Sequence, residues 1–174
     1  MAFLDKLKKK VQEPAPPRPP TPREECDMLL DEAIKMALRL VEAHGHHFPF
    51  CLAITVAGER TNFAADDREI RDGDVLFETV RQSVLKAVRD RQLKAVALVK
   101  NVRYHLATNI TPRKAVQVTL DHLREPQGCT CYLPYDIIDG RVVPDEVFRA
   151  EPVEILFTDK ATFLAGSEGE VRMR

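Results

Sequence analysis

The sequence predicts an α/β fold of the α+β kind, with an antiparallel central sheet of about five strands packed with two main helices in the order α-β-β-α-β-β-β. Apolar residues recur at helical spacing from Cys26 to Val41 and again from Leu76 to Val88, whereas residues 48–57 and 115–123 alternate with a period of two. The later strands follow one another with no helical stretch between them. A doubly wound parallel sheet needs a helix in each crossover, so the antiparallel arrangement fits better. The length of 174 residues, 44% of them hydrophobic, is enough for one domain with a substantial core.

The chain opens with residues 1–12, MAFLDKLKKKVQ. Wound as a helix, this segment sets Phe3, Leu4, Leu7 and Val11 on one face. Lys8 and Lys10 flank that face, and Lys6 and Lys9 lie farther round. Such an arrangement suits an interfacial helix, with apolar groups at the headgroup boundary and lysines meeting anionic lipid. The same stripe suits docking on a protein partner. Met1-Ala2 does not fit the myristoylation pattern, so no acyl chain is expected to help, and a short isolated helix is marginal in water.

Residues 13–21 read as a linker. The stretch EPAPPRPPTP, residues 13–22, holds six of the twelve prolines and should be extended and polyproline-like. Its PxxP spacing would also suit an SH3-like domain, but composition alone favours a semi-rigid spacer.

The globular unit is expected over residues 22–158, with a tail at 159–174. Thr21-Pro22-Arg23-Glu24 is a capping box with proline at the first helical position. The stripe Cys26, Leu29, Leu30, Ala33, Ile34, Ala37, Leu38, Val41 follows, and Gly45 is a natural stop. Phe48 to Val56 forms a first strand with Pro49 near its start, where a missing donor is tolerated. Gly58-Glu59 turns the chain into a second strand near residues 60–65. The acidic loop DDREIRDGD, residues 66–74, places Arg68 and Ile70 where a calcium loop needs oxygen ligands, so calcium is rejected. Asp72 or Asp74 caps the next helix. LKAVALVKNVRY, residues 93–104, is a central strand buried on both faces over part of its length. AVQVTLDHL, GCTCYLPY and a short VEILF at residues 153–157 complete the sheet.

The stretch HGHHFPFC, residues 44–51, invites a metal reading. His46, His47 and Cys51 could supply ligands, with Cys129 and Cys131 arriving from a neighbouring strand. A Cys-His nucleophile pair is conceivable on the same residues. Neither CxxC nor HxxxH spacing is present, and Cys-x-Cys on a strand puts two thiols on one face at a separation unsuited to a relaxed disulfide. The structural reading is therefore preferred. His44 complements the carbonyls at a helix end, His46 and His47 form a short connection, and the phenylalanines begin a strand. No cofactor and no catalytic residue is assigned. GxSxG, Walker and dinucleotide motifs are missing, and Asp121-His122 is no dyad because strand neighbours face opposite ways.

A net charge of −1 gives no general reason to expect nucleic-acid binding. No apolar run approaches the roughly 18 residues of a membrane span, and the amino terminus lacks the apolar core of a signal peptide. The expected compartment is the cytoplasm, with peripheral contact at the inner membrane surface through residues 1–12, and the four cysteines are expected as reduced thiols.

FPFCLAITVAGE followed by CYLPY resembles a set of small, uncharacterised bacterial proteins with an aromatic-PFA strand and a later LPY motif. Phe48, Pro49, Phe50, Leu133, Pro134 and Tyr135 match, while Cys51 and the His-Gly-His-His approach depart from the pattern. The resemblance covers about the sheet-forming two-thirds and implies a bacterial cytoplasmic domain without assigning an activity. The element order is also similar to roadblock, longin and profilin-like domains, which serve largely as interaction platforms. Together these readings favour a non-enzymatic interaction or scaffold domain, acting on a protein partner or by self-association. A metal-binding protein or thiol enzyme, and an immunity-type toxin inhibitor, are the alternatives.

Overall fold

The computed structural model describes residues 18–65, 72–104, 112–150 and 156–157. Residues 1–12, most of the linker, the greater part of the acidic loop and the C-terminal tail lie outside these.

The chain runs α1 (Pro22–His44), β1 (Phe50–Thr55), β2 (Arg60–Ala64), α2 (Gly73–Arg89), β3 (Leu93–Tyr104), β4 (Arg113–His122), β5 (Cys129–Ile138), β6 (Arg141–Pro144) and β7 (Phe148–Ala150). Every strand pairing is antiparallel. The sheet order is β2-β1-β3-β4-β5-β6, with β7 also paired to β5. The expected fold class holds, with two more short strands than expected. The Asp139-Gly140 turn, with φ of 51° and 77°, closes a two-residue hairpin and creates β6. Of the last strand expected at residues 153–157, residues 153–155 lie outside the described residues; Leu156 and Phe157 are not in a strand, and both donate their backbone N–H to Asp121 Oδ2, at 2.7 and 2.9 Å.

The α1 start is the predicted capping box. Thr21 Oγ1 accepts from the Glu24 N–H while the Glu24 carboxylate accepts from the Thr21 N–H. Its end is Gly45 at φ 77°, a left-handed conformation open to glycine, with the N–H donating to Val41 O at 2.7 Å. Asp72 caps α2, accepting from the N–H of Asp74 and Val75.

The helices lie on opposite faces of the sheet. Leu29, Ala33, Ala37 and Val41 of α1 share a core with Phe50, Leu52, Ala95, Ala97, Val118 and Leu133. Small alanines on both sides let the helix approach the central strands closely. Val80, Val84 and Ala87 of α2 pack with Cys51, Ala53, Val96 and Leu98 on the other face. β3 is therefore buried on both sides over its first half, as its unbroken apolar run predicts.

Among the described residues no helix is long and apolar enough to cross a membrane.

Candidate functional site

The row of α1 that meets the core runs 25, 29, 33, 37, 41, and its first member is an acid. Glu25 is only 5% exposed. Its Oε1 accepts from Lys94 Nζ at 2.5 Å and its Oε2 from His122 Nε2 at 2.9 Å. The Arg124 N–H donates to His122 Nδ1, which leaves Nε2 to donate to the Glu25 carboxylate. Burial acts to raise the Glu25 pKa, but the hydrogen bonds from Lys94 and His122 outweigh it and hold the carboxyl below its ordinary value. Lys94 sits where the β1–β3 register slips between Ile54 and Thr55. All three groups are occupied by one another, so this cluster clamps α1 to the sheet.

The stretch that invited a metal reading divides its residues between environments. His44 closes the last turn of α1. His46 is exposed, with Nδ1 against His44 O at 3.1 Å and its ring edge-on to Phe48. His47 is buried against the Phe50 ring, 5.7 Å between centroids. Cys51 points to the α2 side of the sheet with no exposure, and burial pushes its thiol up to about 12. Cys129 and Cys131 lie on the α1 side, on β5, two strands beyond β3. The five candidate ligands are thus not brought together, and Cys51 is not beside His47. Among the described residues no group of three or more histidine, cysteine or acidic side chains is arranged to hold a metal.

Cys129 and Cys131 do share a strand face. The neighbouring Cys131 thiol lowers the Cys129 pKa to about 7 against the opposing effect of burial, with Arg149 nearby adding to the fall. Cys26, which lines a small hollow of about 290 Å³ together with Cys129, is pushed up to about 12 by burial. All four thiols are free.

A groove runs between α1 and the edge strand β2. It consists of two adjoining hollows, of about 830 and 620 Å³, that share Met36, Leu40 and Asn62. Their walls are one face of α1 (Met28, Glu32, Met36, Arg39, Leu40), the floor is Leu52 and Phe50, and β2 forms the far side. Arg60 of β2 bridges to Glu32 of α1 across one end. The other end is apolar, closed by the 44–50 stretch and by Phe63 and Ala65. Phe48 there is 54% exposed, with its ring packed edge-on against His46.

Among the described residues β2 pairs with β1 along one edge only. The Thr55 N–H donates to Glu59 O, which marks that pair as hydrogen-bonded; alternation then turns the N–H and C=O of Asn62 and Ala64 outward, away from β1. A row of open main-chain groups therefore borders the groove. The aromatic residues stand out in the sequence, but the groove depends on strand order, which no local pattern reveals.

The connection that carries His47 is tied to β5 through Asn101 of β3. Tyr135 Oη donates to Asn101 Oδ1 at 3.2 Å, and Asn101 Nδ2 donates to His47 O at 2.9 Å. Comparison with family models, with curated proteins and with solved structures finds no match in any of the three.

Proposed function

We propose that the domain is a protein-interaction module that captures an extended segment of a partner along β2, in the groove beside α1. The observation that carries this reading is the juxtaposition of a strand edge that has no partner among the described residues with a groove whose floor is apolar. An added strand satisfies the open main-chain groups, and alternate side chains of that strand enter the groove. Main-chain pairing supplies affinity and the groove supplies selection. The short length of β2 and the charge of Arg60 discourage indiscriminate edge pairing, so the groove has to contribute. The N-terminal segment, through Phe3, Leu4, Leu7 and Val11 with Lys6, Lys8, Lys9 and Lys10, would tether this module to an anionic membrane surface, and the proline-rich linker would hold it clear.

A photo-crosslinking residue at Thr61, introduced in the cell that makes the protein, tests the reading. The expected result is a crosslinked segment that binds the purified protein when synthesised as a peptide and loses binding to Asn62→Pro. That substitution removes an outward N–H without taking a bond from the β1–β2 pairing. Crosslinks that map to no common segment, or a peptide that binds Asn62→Pro equally well, would overturn it.

A further inference from the structure

Two thiols from different elements open onto one hollow. Cys26, near the start of α1, and Cys129, at the start of β5, both line the cavity of about 290 Å³. Both are partly exposed, whereas Cys51 and Cys131 are buried. The fold fixes the pair there. Glu25, the residue before Cys26, is held by His122 of β4 at 2.9 Å, and Cys129 is the register partner of Leu120 on that same strand. Arg149 of β7 lines the hollow too, and it is the register partner of Cys131 on β5. The Cys131 thiol and then the Arg149 guanidinium favour a thiolate at Cys129, against burial and the charges of Asp27 and Asp121. Cys26 stays protonated, held so first by burial and next by Cys129 itself. An ionisable thiol and a protonated one thus face the same cavity, which shares no lining residue with the groove beside β2.

We propose that Cys129 is oxidised by hydrogen peroxide in this hollow and that Cys26 resolves the product, so that the two form a reversible disulfide between α1 and β5. In the first step the Cys129 thiolate attacks one peroxide oxygen. An S–O bond forms, the O–O bond breaks and hydroxide leaves, so sulfur is oxidised to the sulfenic acid as the peroxide is reduced. In the second step the Cys26 sulfur attacks the Cys129 sulfur. The S–S bond forms, the S–O bond breaks, and the Cys26 proton departs with the hydroxyl as water. A protonated thiol is a poor nucleophile towards a dilute reagent, but Cys26 faces a target held in the same cavity, and proximity replaces concentration. Oxidation also removes the Cys129 negative charge, one of the causes that keep the proton on Cys26. Cys131 is nearer to Cys129 in sequence. It is buried in the core beside α1, and two positions on one strand face suit a relaxed disulfide poorly.

The test is titration of the full chain with hydrogen peroxide at neutral pH. Remaining thiols are blocked with N-ethylmaleimide in denaturant, and the peptides are mapped by mass spectrometry without reduction. The expected main product is a linked peptide pair joining Cys26 to Cys129, with two thiols lost for each peroxide consumed and both recovered by dithiothreitol. Cys26→Ser should abolish the link and raise dimedone capture at Cys129 at least tenfold, because the sulfenic acid then has no resolving thiol. Cys131→Ala should still form the link, more slowly. Arg149→Gln should slow peroxide consumption severalfold without changing which cysteines are joined. A link from Cys129 to Cys131, bridges between chains, or sulfinic acid at Cys129 with Cys26 left free would overturn the proposal. Equal dimedone capture in the full chain and in Cys26→Ser would do the same.

Discussion

Asn101 on β3 holds His47 by its backbone: the amide Nδ2 donates to the His47 carbonyl at 2.9 Å, across 54 residues of sequence. The other end of the same amide accepts from Tyr135. One side chain on the central strand thus fixes the connection that closes the groove.

Asn101→Ala should release that connection. It leaves the His47 carbonyl and the Tyr135 hydroxyl without their partner, which costs about 2 kcal/mol for part-buried groups. Chemical denaturation measures the loss, and crosslinking yield at Thr61 should fall with it. Asn101→Asp keeps an acceptor for Tyr135 but no donor for His47, so it should lower the crosslinking yield as well.

The clamp at Glu25 predicts an acid dependence of stability. Its folded pKa is held below the ordinary 4.5, so the carboxylate stabilises the native state above that value, and the contribution disappears as pH falls through the folded pKa. His47 acts in the same direction at higher pH. Its folded pKa lies below 6.5, so stability drops as pH falls beneath 6.5 and the ring is forced to charge. Melting temperature measured from pH 8 to pH 3 should show both declines. Glu25→Gln should flatten the lower one and His47→Phe the upper. Glu25→Ala at pH 7 should cost about 3 kcal/mol, because it strands Lys94 and His122 in a largely buried site.

Thiol chemistry should separate the four cysteines. Cys129, with its pKa lowered to about 7, should be alkylated first at neutral pH, at a rate that rises with pH through about 7. Cys26 and Cys51, pushed up to about 12, should resist until the protein unfolds. Mass spectrometry after timed iodoacetamide exposure reads the order. Cys131→Ala removes the neighbouring thiol and should slow the first reaction.

Local features with a local cause were legible in the sequence. Thr21 to Glu24 and Gly45 set the ends of α1, and the unbroken apolar run of β3 foretold a strand covered on both faces. β6 was missed although Asp139-Gly140 is a strong hairpin turn, because the residues after it are mostly exposed and show no alternating pattern. The site was only partly legible. HGHHFPF drew notice, but whether its histidines converge on cysteines depends on which sheet face Cys51 takes and on the strands between β1 and β5. Glu25 carried a usable signal, an acid in register with a buried row at four-residue spacing. Its partners Lys94 and His122 arrive only through sheet pairing, and Lys94 through a register slip.

The proposed N-terminal tether is open to a direct test. Removing residues 1–12 should abolish cosedimentation with anionic vesicles at low salt and leave the melting temperature unchanged. Each lysine near such a surface contributes about 1 kcal/mol, so raising salt should weaken binding of the full chain. Leu4→Asp with Leu7→Asp should mimic the truncation. Equal partitioning of full and truncated chains would assign the stripe to a protein partner instead.

The most direct test of strand capture is hydrogen exchange at the outward amides of β2. With the crosslink-defined peptide bound, the N–H groups of Asn62 and Ala64 should become protected at least tenfold, while those of β6 at the opposite edge of the sheet stay unchanged. Protection that leaves Asn62 and Ala64 exchanging as in the free protein would contradict the account, whatever the affinity of the peptide.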